Sequence, residues 1–384
     1  MTNTEYERLA LEGRINLSDG HARQELVPAE RSVVETLPDI WHRSHGASQT
    51  DVEEAFSSSF FGLAGQHSRL SDQSNRYFSY SASCSILIAA QMARARNQLV
   101  YLLEPTFDNI YHILRSQGVE VLPIQESEVQ SEWLQENFIP GSMLWLTLPN
   151  NPTGFTLRQE RFQRVASCLS QLNGSITLDF AYRFFCADMY LWDQYEELED
   201  SGIPYICLED TGKTWATADF KFGVLTCADS YNPLAHRFHD ELLLNVSPVA
   251  LELVRQFIEV TASAGGYEFI SERLAEPREI VHAALPGTGL LHKATECTNV
   301  PMELLGLPSG SSVHFWASLR NQGIELLPAH NYFWSVRKPP SDLFRIPLTR
   351  PPGELREAMQ VIKHVEEQTF VRRQRDGKKC PDQR

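Results

Sequence analysis

Short apolar runs alternate with amphipathic stretches through the middle of the chain. The apolar runs are LVYLL from Leu99, the run from Val119 to Ile124, MLWLTL from Met143, SITL from Ser175 and YICL from Tyr205. Stretches with helical periodicity separate these runs. Continuous apolar strands separated by helices are typical of a parallel sheet that is covered on both faces. The pattern therefore predicts an α/β fold with a mostly parallel central sheet sandwiched by helices.

The pattern changes beyond residue 245. Two long helical stretches, Pro248–Ser263 and Glu268–Leu285, precede apolar runs near Val313–Trp316 and Gly323–Leu327, which we interpret as strands, and a helix over Leu355–Glu367. This order predicts a smaller α+β domain. The first forty residues show no sheet pattern, so we expect them to lie across another part of the structure. The predicted division is an N-terminal segment 1–44 that joins the small domain, a large domain 45–245, a linking helix with a small domain 246–370, and a disordered basic tail 371–384.

Composition excludes several classes of function. The chain of 384 residues has 34 Lys and Arg against 49 Asp and Glu, a formal charge of −15, which argues against a nucleic-acid-binding surface. No apolar run reaches 18 residues and the first residues do not resemble a signal peptide, so we expect no membrane span and a cytoplasmic location. Seven scattered cysteines without a C-x-x-C pair indicate neither a disulfide framework nor a zinc signature, and no metal is predicted.

Polar and aromatic side chains follow the predicted strands. Phe107 follows the first strand, Asn151 the third, Asp179 the fourth and Lys213 the fifth. Ligands of open parallel sheets bind at the carboxyl ends of the strands. Asn151 and Asp179 are 28 residues apart and Asp179 and Lys213 are 34 apart, which is about one β-α-β crossover each. We therefore expect these side chains to lie together at one edge.

A run of small residues, Tyr80-Ser81-Ala82-Ser83-Cys84-Ser85, precedes a predicted helix over Ile86–Arg94. The free N–H groups at a helix start bind phosphate well. A phosphate cradle, an aromatic ring, an amide, a carboxylate and a lysine are together what pyridoxal 5′-phosphate (PLP) requires. The lysine forms a Schiff base with its aldehyde, and the carboxylate keeps the pyridine nitrogen protonated.

The motifs Asn151-Pro152-Thr153-Gly154, Asp179-Phe180-Ala181-Tyr182 and Thr211-Gly212-Lys213 resemble those of fold-type I PLP-dependent enzymes, the aspartate aminotransferase superfamily. The resemblance implies a covalent Schiff base at Lys213 and a pyridinium partner at Asp179. The family's glycine and arginine, six and eight residues after the lysine, are replaced here by Asp219 and Lys221, and Lys221 can still pair with phosphate as a point charge. The other implied roles are the cofactor's 3′ oxygen for Asn151 and Tyr182, ring stacking for Phe107, phosphate binding for Ser83, Cys84 and Ser85, and the substrate α-carboxylate for Arg345.

A narrower resemblance covers nearly the whole chain. The runs NLSDGHARQ from Asn16, GQH from Gly65, PTFDNI from Pro105 and EDTGKTW from Glu209 are similar to those of the PLP-dependent L-arginine oxidases and hydroxylases of bacterial natural-product pathways. That group uses molecular oxygen as co-substrate, without metal or flavin. It converts L-arginine to 2-oxo acids, often hydroxylated at C4, and releases ammonia and hydrogen peroxide.

The narrower resemblance also implies roles for residues near the N-terminus. Members close an N-terminal helix over the site as a lid, which would place Thr4, Glu7 and His21 there. Lys213 would remove the Cα proton, and His21 would be the acid/base for water addition at C4, since imidazole titrates near neutral pH. The candidate acids for the substrate guanidinium are Glu7, Asp19 and Asp210. A homodimer with shared active sites is implied.

Three alternatives remain at this stage. An arginine oxidase could desaturate the side chain without hydroxylating it. An aminotransferase of arginine or a related amino acid would need a 2-oxo acid acceptor, and Asp219, Lys221 and the His21 run argue against it. A non-catalytic PLP-binding regulator would carry a longer, basic N-terminal module than the short acidic segment found here.

Overall fold

Two sheets organise the computed structural model, which describes residues 2–71, 74–293, 299–307 and 312–377. The strands are β1 (Ile15–Leu17), β2 (Arg76–Ser79), β3 (Val100–Glu104), β4 (Val121–Gln125), β5 (Met143–Thr147), β6 (Ser175–Asp179), β7 (Tyr205–Asp210), β8 (Gly223–Cys227), β9 (Leu291–Lys293), β10 (Met302–Gly306), β11 (Ile324–Pro328) and β12 (Leu343–Pro347). The α-helices are α1 (Asn3–Ala10), α2 (Pro28–Glu35), α3 (Leu37–His45), α4 (Gln49–Leu63), α5 (Ser68–Ser71), α6 (Ala82–Ala95), α7 (Asp108–Ser116), α8 (Glu126–Gln130), α9 (Trp133–Asn137), α10 (Gln159–Gln171), α11 (Gln194–Ser201), α12 (Asn232–Leu242), α13 (Pro248–Ser263), α14 (Tyr267–Ala284), α15 (Ser312–Asn321) and α16 (Pro352–Gly377).

The larger sheet has seven strands in the order β2-β8-β7-β6-β5-β3-β4. Strands β3 to β7 pair in parallel, as the apolar runs predicted, whereas β8 runs antiparallel to both of its neighbours. Leu144 and Leu146 pack into one hydrophobic core and Met143 and Trp145 into another, on the opposite face of β5. Every residue of β3, β5, β6 and β7 is buried, which explains why these four strands read as continuous apolar runs. The edge strand β4 is only partly buried. Strands β2 and β8 were not predicted.

The smaller sheet has the order β1-β11-β12-β10-β9. Strand β1 pairs in parallel with β11, from Ile15 opposite Ile324 to Leu17 opposite Leu326. The first forty residues show no sheet pattern in the sequence, yet they contain β1, because a three-residue strand is too short to show a period. The N-terminal segment is thus joined to the smaller sheet through β11, which lies far along the chain. The exact domain boundaries stay a prediction.

Two predictions near the C-terminus are corrected. The strand expected near Val313–Trp316 is part of helix α15, in which Phe315 and Leu319, four residues apart, share the buried face. Helix α16 continues to Gly377, so the tail expected from residue 371 is helical up to that point. The rest of that tail, with Cys380, lies outside the described residues, as does Cys297. No helix among the described residues is long and apolar enough to cross a membrane.

Candidate active site

A cavity of about 340 Å³ opens at the carboxyl edge of the parallel strands. Its size suits a small-molecule ligand. All but three of the site residues predicted from the sequence line it; the exceptions are Asp19, Cys84 and Ser85. The lining residues are Thr4, Glu7, His21, Ser81, Ala82, Ser83, Ile86, Phe107, Asn109, Thr147, Asn151, Asp179, Ala181, Tyr182, Asp210, Lys213, Lys221 and Arg345.

Asp179 is the last residue of β6 and lies opposite Thr147 of β5. Its side chain is buried, and its Oδ1 accepts a hydrogen bond from the Ala181 backbone N–H at 3.0 Å. Burial raises the pKa of this carboxyl to about 7, against the smaller opposing effect of that hydrogen bond. A buried carboxylate of this kind is stabilised by a cation placed beside it.

Asn151 and Lys213 carry polar groups that the protein leaves unused. The Asn151 Oδ1 is buried and has no hydrogen-bond partner among the described residues. Rotation of the terminal amide by half a turn keeps its shape and presents an N–H donor instead. Nor does the Lys213 ammonium make a hydrogen bond within the described part of the chain. A ligand with an aldehyde, a phenolate oxygen and a basic ring nitrogen, as PLP has, fits these groups together with Asp179.

The charge of Lys213 is supported by its neighbours. Burial alone would lower the pKa of its ammonium, but Tyr182, Asp210 and Glu7 together outweigh burial and hold the pKa above its ordinary value. Arg345 acts in the opposite direction. The cavity therefore keeps Lys213 protonated until a reaction with a ligand removes its charge.

The N-terminus of α6 faces the cavity. Ser81 caps this helix by accepting a hydrogen bond from the Cys84 N–H at 3.3 Å, and Ala82 and Ser83 line the cavity in its first turn. N–H groups of a first turn have no intrahelical partner and suit a phosphate. A side chain at Gly223 would place its Cβ 2.6 Å from the Ser81 carbonyl oxygen, so this close approach of β8 requires glycine.

The predicted phosphate-binding run is therefore only partly on the cavity wall. Cys84 does not line the cavity, and its N–H is used by the Ser81 cap. Ser85 is buried, and its hydroxyl lies 2.8 Å from the Ser79 hydroxyl. Ser83 remains, with its hydroxyl accepting a hydrogen bond from the Asn109 amide at 3.3 Å. Successive side chains of a helix point in different directions, so three consecutive residues cannot all face the same cavity.

His21, Asp219 and Lys221 form a cluster at another wall. The Lys221 ammonium donates to His21 Nε2 at 3.0 Å and lies 3.4 Å from Asp219 Oδ1. Since an ammonium has no lone pair, His21 carries its proton on Nδ1. Asp219 has φ +66°, in the left-handed region, which accounts for the glycine that the superfamily has at this position.

His21 does not titrate near neutral pH in this arrangement. The charge of Lys213, burial and the charge of Lys221 lower the pKa of its imidazole to about 2. The sequence-based expectation of an ordinary imidazole pKa is thus wrong. His21 stays neutral through the physiological range and serves as an acceptor at Nε2.

Asp19, expected to bind the substrate, is occupied by the protein itself. Its Oδ1 accepts from Arg350 at 2.9 Å, and its Oδ2 accepts from Arg23 at 2.9 Å and from the Asn16 amide at 2.7 Å. Arg350 is fully buried and also donates to the carbonyls of Asn16 and Asp19. Asp19 therefore shapes the loop that carries His21 and leaves no oxygen for a ligand. Arg350 is a supporting residue that sequence reasoning missed.

Arg345 lies on β12, is buried, and donates to the Ser18 carbonyl. Its Nη2 is 3.9 Å from Glu7 Oε1 on α1. Burial raises the pKa of Glu7, while Arg345 and Lys213 act to lower it. Gly20 passes so close to Tyr182 that a Cβ would lie 2.8 Å from the Tyr182 hydroxyl oxygen. The N-terminal segment thus forms one wall of the cavity.

The first residue of helix α1 is hydrogen-bonded to the larger domain beside the cavity. The Asn3 backbone N–H donates to Asp108 Oδ2 at 2.9 Å, at the beginning of α7. Among the lining residues outside the predicted set, all but Thr147 lie one to three residues from a predicted one. Thr147 lies in a predicted strand, four residues before Asn151. Proximity to a predicted site residue was therefore the signal that could have found most of them.

The chain is similar to known proteins in family and fold. Residues 14–362 match the family described as aminotransferase class I and II. The solved structure of MppP soaked with the product 2-ketoarginine is similar, with a TM-score of 0.85 and 30% identity over 91% of this chain and 99% of that chain. No curated protein sequence matches the chain.

Two aminotransferases from Thermus thermophilus share the fold. The α-aminoadipate aminotransferase LysN aligns with a TM-score of 0.75 and 14% identity over 95% of each chain. Aspartate aminotransferase with maleate aligns with a TM-score of 0.76 and 14% identity over 95% of this chain and 96% of that chain. The fold-type I prediction is confirmed, and the chain belongs to the class I and II aminotransferase family of PLP-dependent enzymes.

Proposed function

We propose that this protein is a PLP- and O2-dependent oxidase/hydroxylase of L-arginine. The observation that carries the proposal is that α1 places the carboxylate of Glu7 in the wall of the same cavity as Arg345 and Lys213. An amino acid with a cationic side chain needs both a cation for its carboxylate and an acid for its side chain. The MppP structure with 2-ketoarginine, the 2-oxo acid of arginine, supports arginine as that substrate.

The substrate is held at two ends in this proposal. The Arg345 guanidinium, a planar fork, suits the α-carboxylate. Glu7 and Asp210 are the acids for the substrate guanidinium, since Asp19 is occupied by Arg350 and Arg23. Thr4 adds a hydroxyl from α1 to the same wall. The N-terminal segment, by lying over the cavity, would keep bulk water from a reactive substrate.

The cofactor-binding residues follow from the same cavity. Lys213 would hold PLP covalently, Asp179 its pyridine nitrogen, Asn151 and Tyr182 its 3′ oxygen, Phe107 its ring, and Ser83, the α6 N-terminus and Lys221 its phosphate. When bound, PLP supplies an electron sink next to the substrate Cα. Lys213 takes the Cα proton at Nζ. The main charges that lower the pKa of His21 are those of Lys213 and Lys221. Pairing of Lys221 with the phosphate removes one of them and frees Nε2, so that His21 can accept a proton from the water that adds at C4.

The reaction balances with oxygen as the only oxidant. L-Arginine, one O2 and one water give 2-oxoarginine, ammonia and one hydrogen peroxide. The 4-hydroxy-2-oxo-5-guanidinopentanoate product requires a second O2 and a second water and yields a second hydrogen peroxide, because its hydroxyl oxygen comes from water. A desaturating oxidase that omits this water addition is the nearest variant of the proposal.

An aminotransferase is the second candidate. It is supported by the family and by the shared fold of LysN and aspartate aminotransferase. It requires a 2-oxo acid acceptor, and this requirement separates the two candidates experimentally.

The holoenzyme with L-arginine in air, without any 2-oxo acid, is expected to consume O2 and to form hydrogen peroxide. Mass spectrometry should find a product 16 mass units above 2-oxoarginine, and in ¹⁸O-labelled water that hydroxyl should carry the label. Under anaerobic conditions turnover should stop.

The opposite results identify the alternatives. Oxygen uptake without the heavier product would leave an oxidase and remove the role of His21. Turnover that needs pyruvate or 2-oxoglutarate and no O2 would establish an aminotransferase and end the oxidase proposal.

Replacing Glu7 by glutamine should weaken recognition of the substrate guanidinium. Gln keeps the size of the side chain but loses the charge, and a hydrogen bond to a charged group contributes about 1.5–3 kcal/mol, roughly 10- to 100-fold. We expect kcat/KM for L-arginine to fall by that factor and kcat/KM for L-citrulline, its neutral analogue, to change little. Glu12→Gln, at an exposed acid just beyond α1, is the control. An equal fall for both substrates would assign Glu7 to the architecture of the cavity.

We also propose a homodimer with shared active sites. Tyr80 and Phe220, large side chains that are each 49% exposed, directly precede the cavity residues Ser81 and Lys221. Apolar surface at the margin of a polar cavity is well suited to contact a second copy.

A further inference from the structure

Two histidines and a glutamate converge outside the cavity, on the smaller sheet. His282 lies in the last turn of α14, His292 on β9 and Glu303 on β10. One ligand atom from each of the three lies within 4.8 Å of the other two. His292 Nε2 is 2.6 Å and His282 Nε2 is 3.5 Å from the same oxygen, Glu303 Oε2.

The carboxylate at the centre of this cluster is held in place by an arginine. Glu303 is buried, and its other oxygen, Oε1, accepts from Arg278 Nε at 2.9 Å. Arg278 is itself anchored, since it donates to the Val300 carbonyl at 2.7 Å. Oε2 is therefore the oxygen that remains for the two imidazoles. Supporting contacts of this kind orient the ligands of protein metal sites.

We propose that His282, His292 and Glu303 bind a divalent transition-metal ion of the Zn²⁺ class, with water as the fourth ligand. Imidazole nitrogen and carboxylate oxygen are ligands that Zn²⁺ accepts, and three protein ligands with one open position is a common arrangement. The spacing also suits it. Bonds of about 2.0–2.1 Å in a tetrahedron place ligand atoms roughly 3.3 Å apart.

The separation of His282 and Glu303, 3.5 Å, is already close to that value. His292 and Glu303 would have to part by about 0.7 Å, which replaces their hydrogen bond by two metal bonds. The His292 side chain is 34% exposed, so its ring has room to rotate. Both rings present Nε2 to the same carboxylate oxygen, Glu303 Oε2.

The ion would act on the fold and not on the cavity chemistry. None of the three residues lines the cavity. Strand β9 is three residues long, lies at the edge of the smaller sheet and is exposed throughout. The backbone of β9 is hydrogen-bonded to β10. A metal bound by His292 and His282 would in addition join β9 to the end of α14. Binding to the folded state alone should therefore stabilise the protein.

The test uses the holoenzyme after treatment with a chelator, titrated with Zn²⁺ by calorimetry and with Co²⁺ by visible absorption. We expect one ion per chain, Co²⁺ d–d bands of a nitrogen and oxygen site, and a higher thermal midpoint in saturating Zn²⁺. His282→Gln and His292→Gln should each weaken binding by at least about tenfold, the lower end of what loss of a merely supporting contact costs. Both residues are partly exposed, so the variants should fold.

His236→Gln is the matched control. His236 is also an exposed histidine beside an acid, Asp240, at 3.4 Å, but it belongs to no three-ligand cluster among the described residues. It should bind the ion as the unchanged protein does. Equal binding in all three variants, a thiolate charge-transfer band in the Co²⁺ spectrum, or no saturable binding would each overturn the assignment. None of these readouts depends on catalytic activity.

Discussion

Replacing Lys213 by alanine is expected to abolish covalent attachment of the cofactor and to lower turnover by at least about 10²- to 10⁴-fold, the range typical for loss of a positioned acid/base group. Lys213 is surrounded by Tyr182, Asp210 and Glu7 in the cavity wall. It makes no hydrogen bond to the described residues, so its removal should not disturb the fold. Borohydride reduction followed by intact-mass measurement should add the phosphopyridoxyl mass to the unchanged protein and not to the variant.

The second lysine of the cavity makes this experiment decisive. Lys221 also lines the cavity but is paired with His21 and Asp219. Lys221→Ala should keep the borohydride-trapped mass and bind the cofactor more weakly. Lys213→Arg keeps the charge but forms no Schiff base, and should be as inactive as the alanine variant. A trapped mass that persists without Lys213 and disappears without Lys221 would reassign the Schiff base.

Most of the parallel part of the larger sheet could be predicted because β3, β5, β6 and β7 are buried at every position. Each of these four strands is an apolar run bounded by turn residues, and a period is not needed to find it. The strands of the smaller sheet were harder. Strand β1 has three residues, and its partner β11 lies about three hundred residues away, so its pairing depends on tertiary contacts alone. In α15, aromatic residues favoured a strand locally, but burial of one helical face decided the outcome.

The site residues also divide into those that the sequence could place and those that it could not. Lys213, Asp179 and Asn151 could be placed because each follows a predicted strand, and topology brings strand ends together. Asp19 and Ser85 could not be excluded, because their partners, Arg350 and Ser79, are known only once the chain is folded. His21 reached the cavity as expected, yet its pKa depends on Lys213 and Lys221, whose distances from it no sequence pattern contains.

The proposed metal cluster shows a further limit. His282, His292 and Glu303 are separated by ten and eleven residues, which matches none of the short zinc motifs. The three come together because α14 ends beside the sheet edge where β9 and β10 pair. Ligands contributed by a helix end and two strands carry no local signature.

Asp179→Asn is expected to lower turnover by about 10²- to 4 × 10³-fold. Removing one partner of a buried ion pair costs about 3–5 kcal/mol, and each 1.4 kcal/mol is a factor of ten. The pair in question is that of Asp179 with the protonated pyridine nitrogen of the cofactor. Asparagine has the same shape and keeps an acceptor for the Ala181 N–H, so the loss would come from the charge. Steady-state rates at saturating PLP measure it, and an activity close to that of the unchanged enzyme would contradict the role.

In the absence of the cofactor, the same substitution should improve the stability of the protein, relative to the unchanged apoprotein, as pH rises. Burial raises the pKa of Asp179 to about 7, so without a cofactor the folded protein holds a proton that the unfolded chain has already lost above its usual pKa near 4. Since the folded state then binds more protons than the unfolded state, the free energy of unfolding falls as pH rises from about 4 to 7. Asparagine has no such titration. Thermal unfolding of the two apoproteins should be measured between pH 5 and 8. The stability of the variant, relative to the unchanged protein, should improve as pH rises.

A stability difference that does not depend on pH would mean that Asp179 is already ionised without its cation. The cofactor's positive nitrogen would then not be what this buried carboxylate requires.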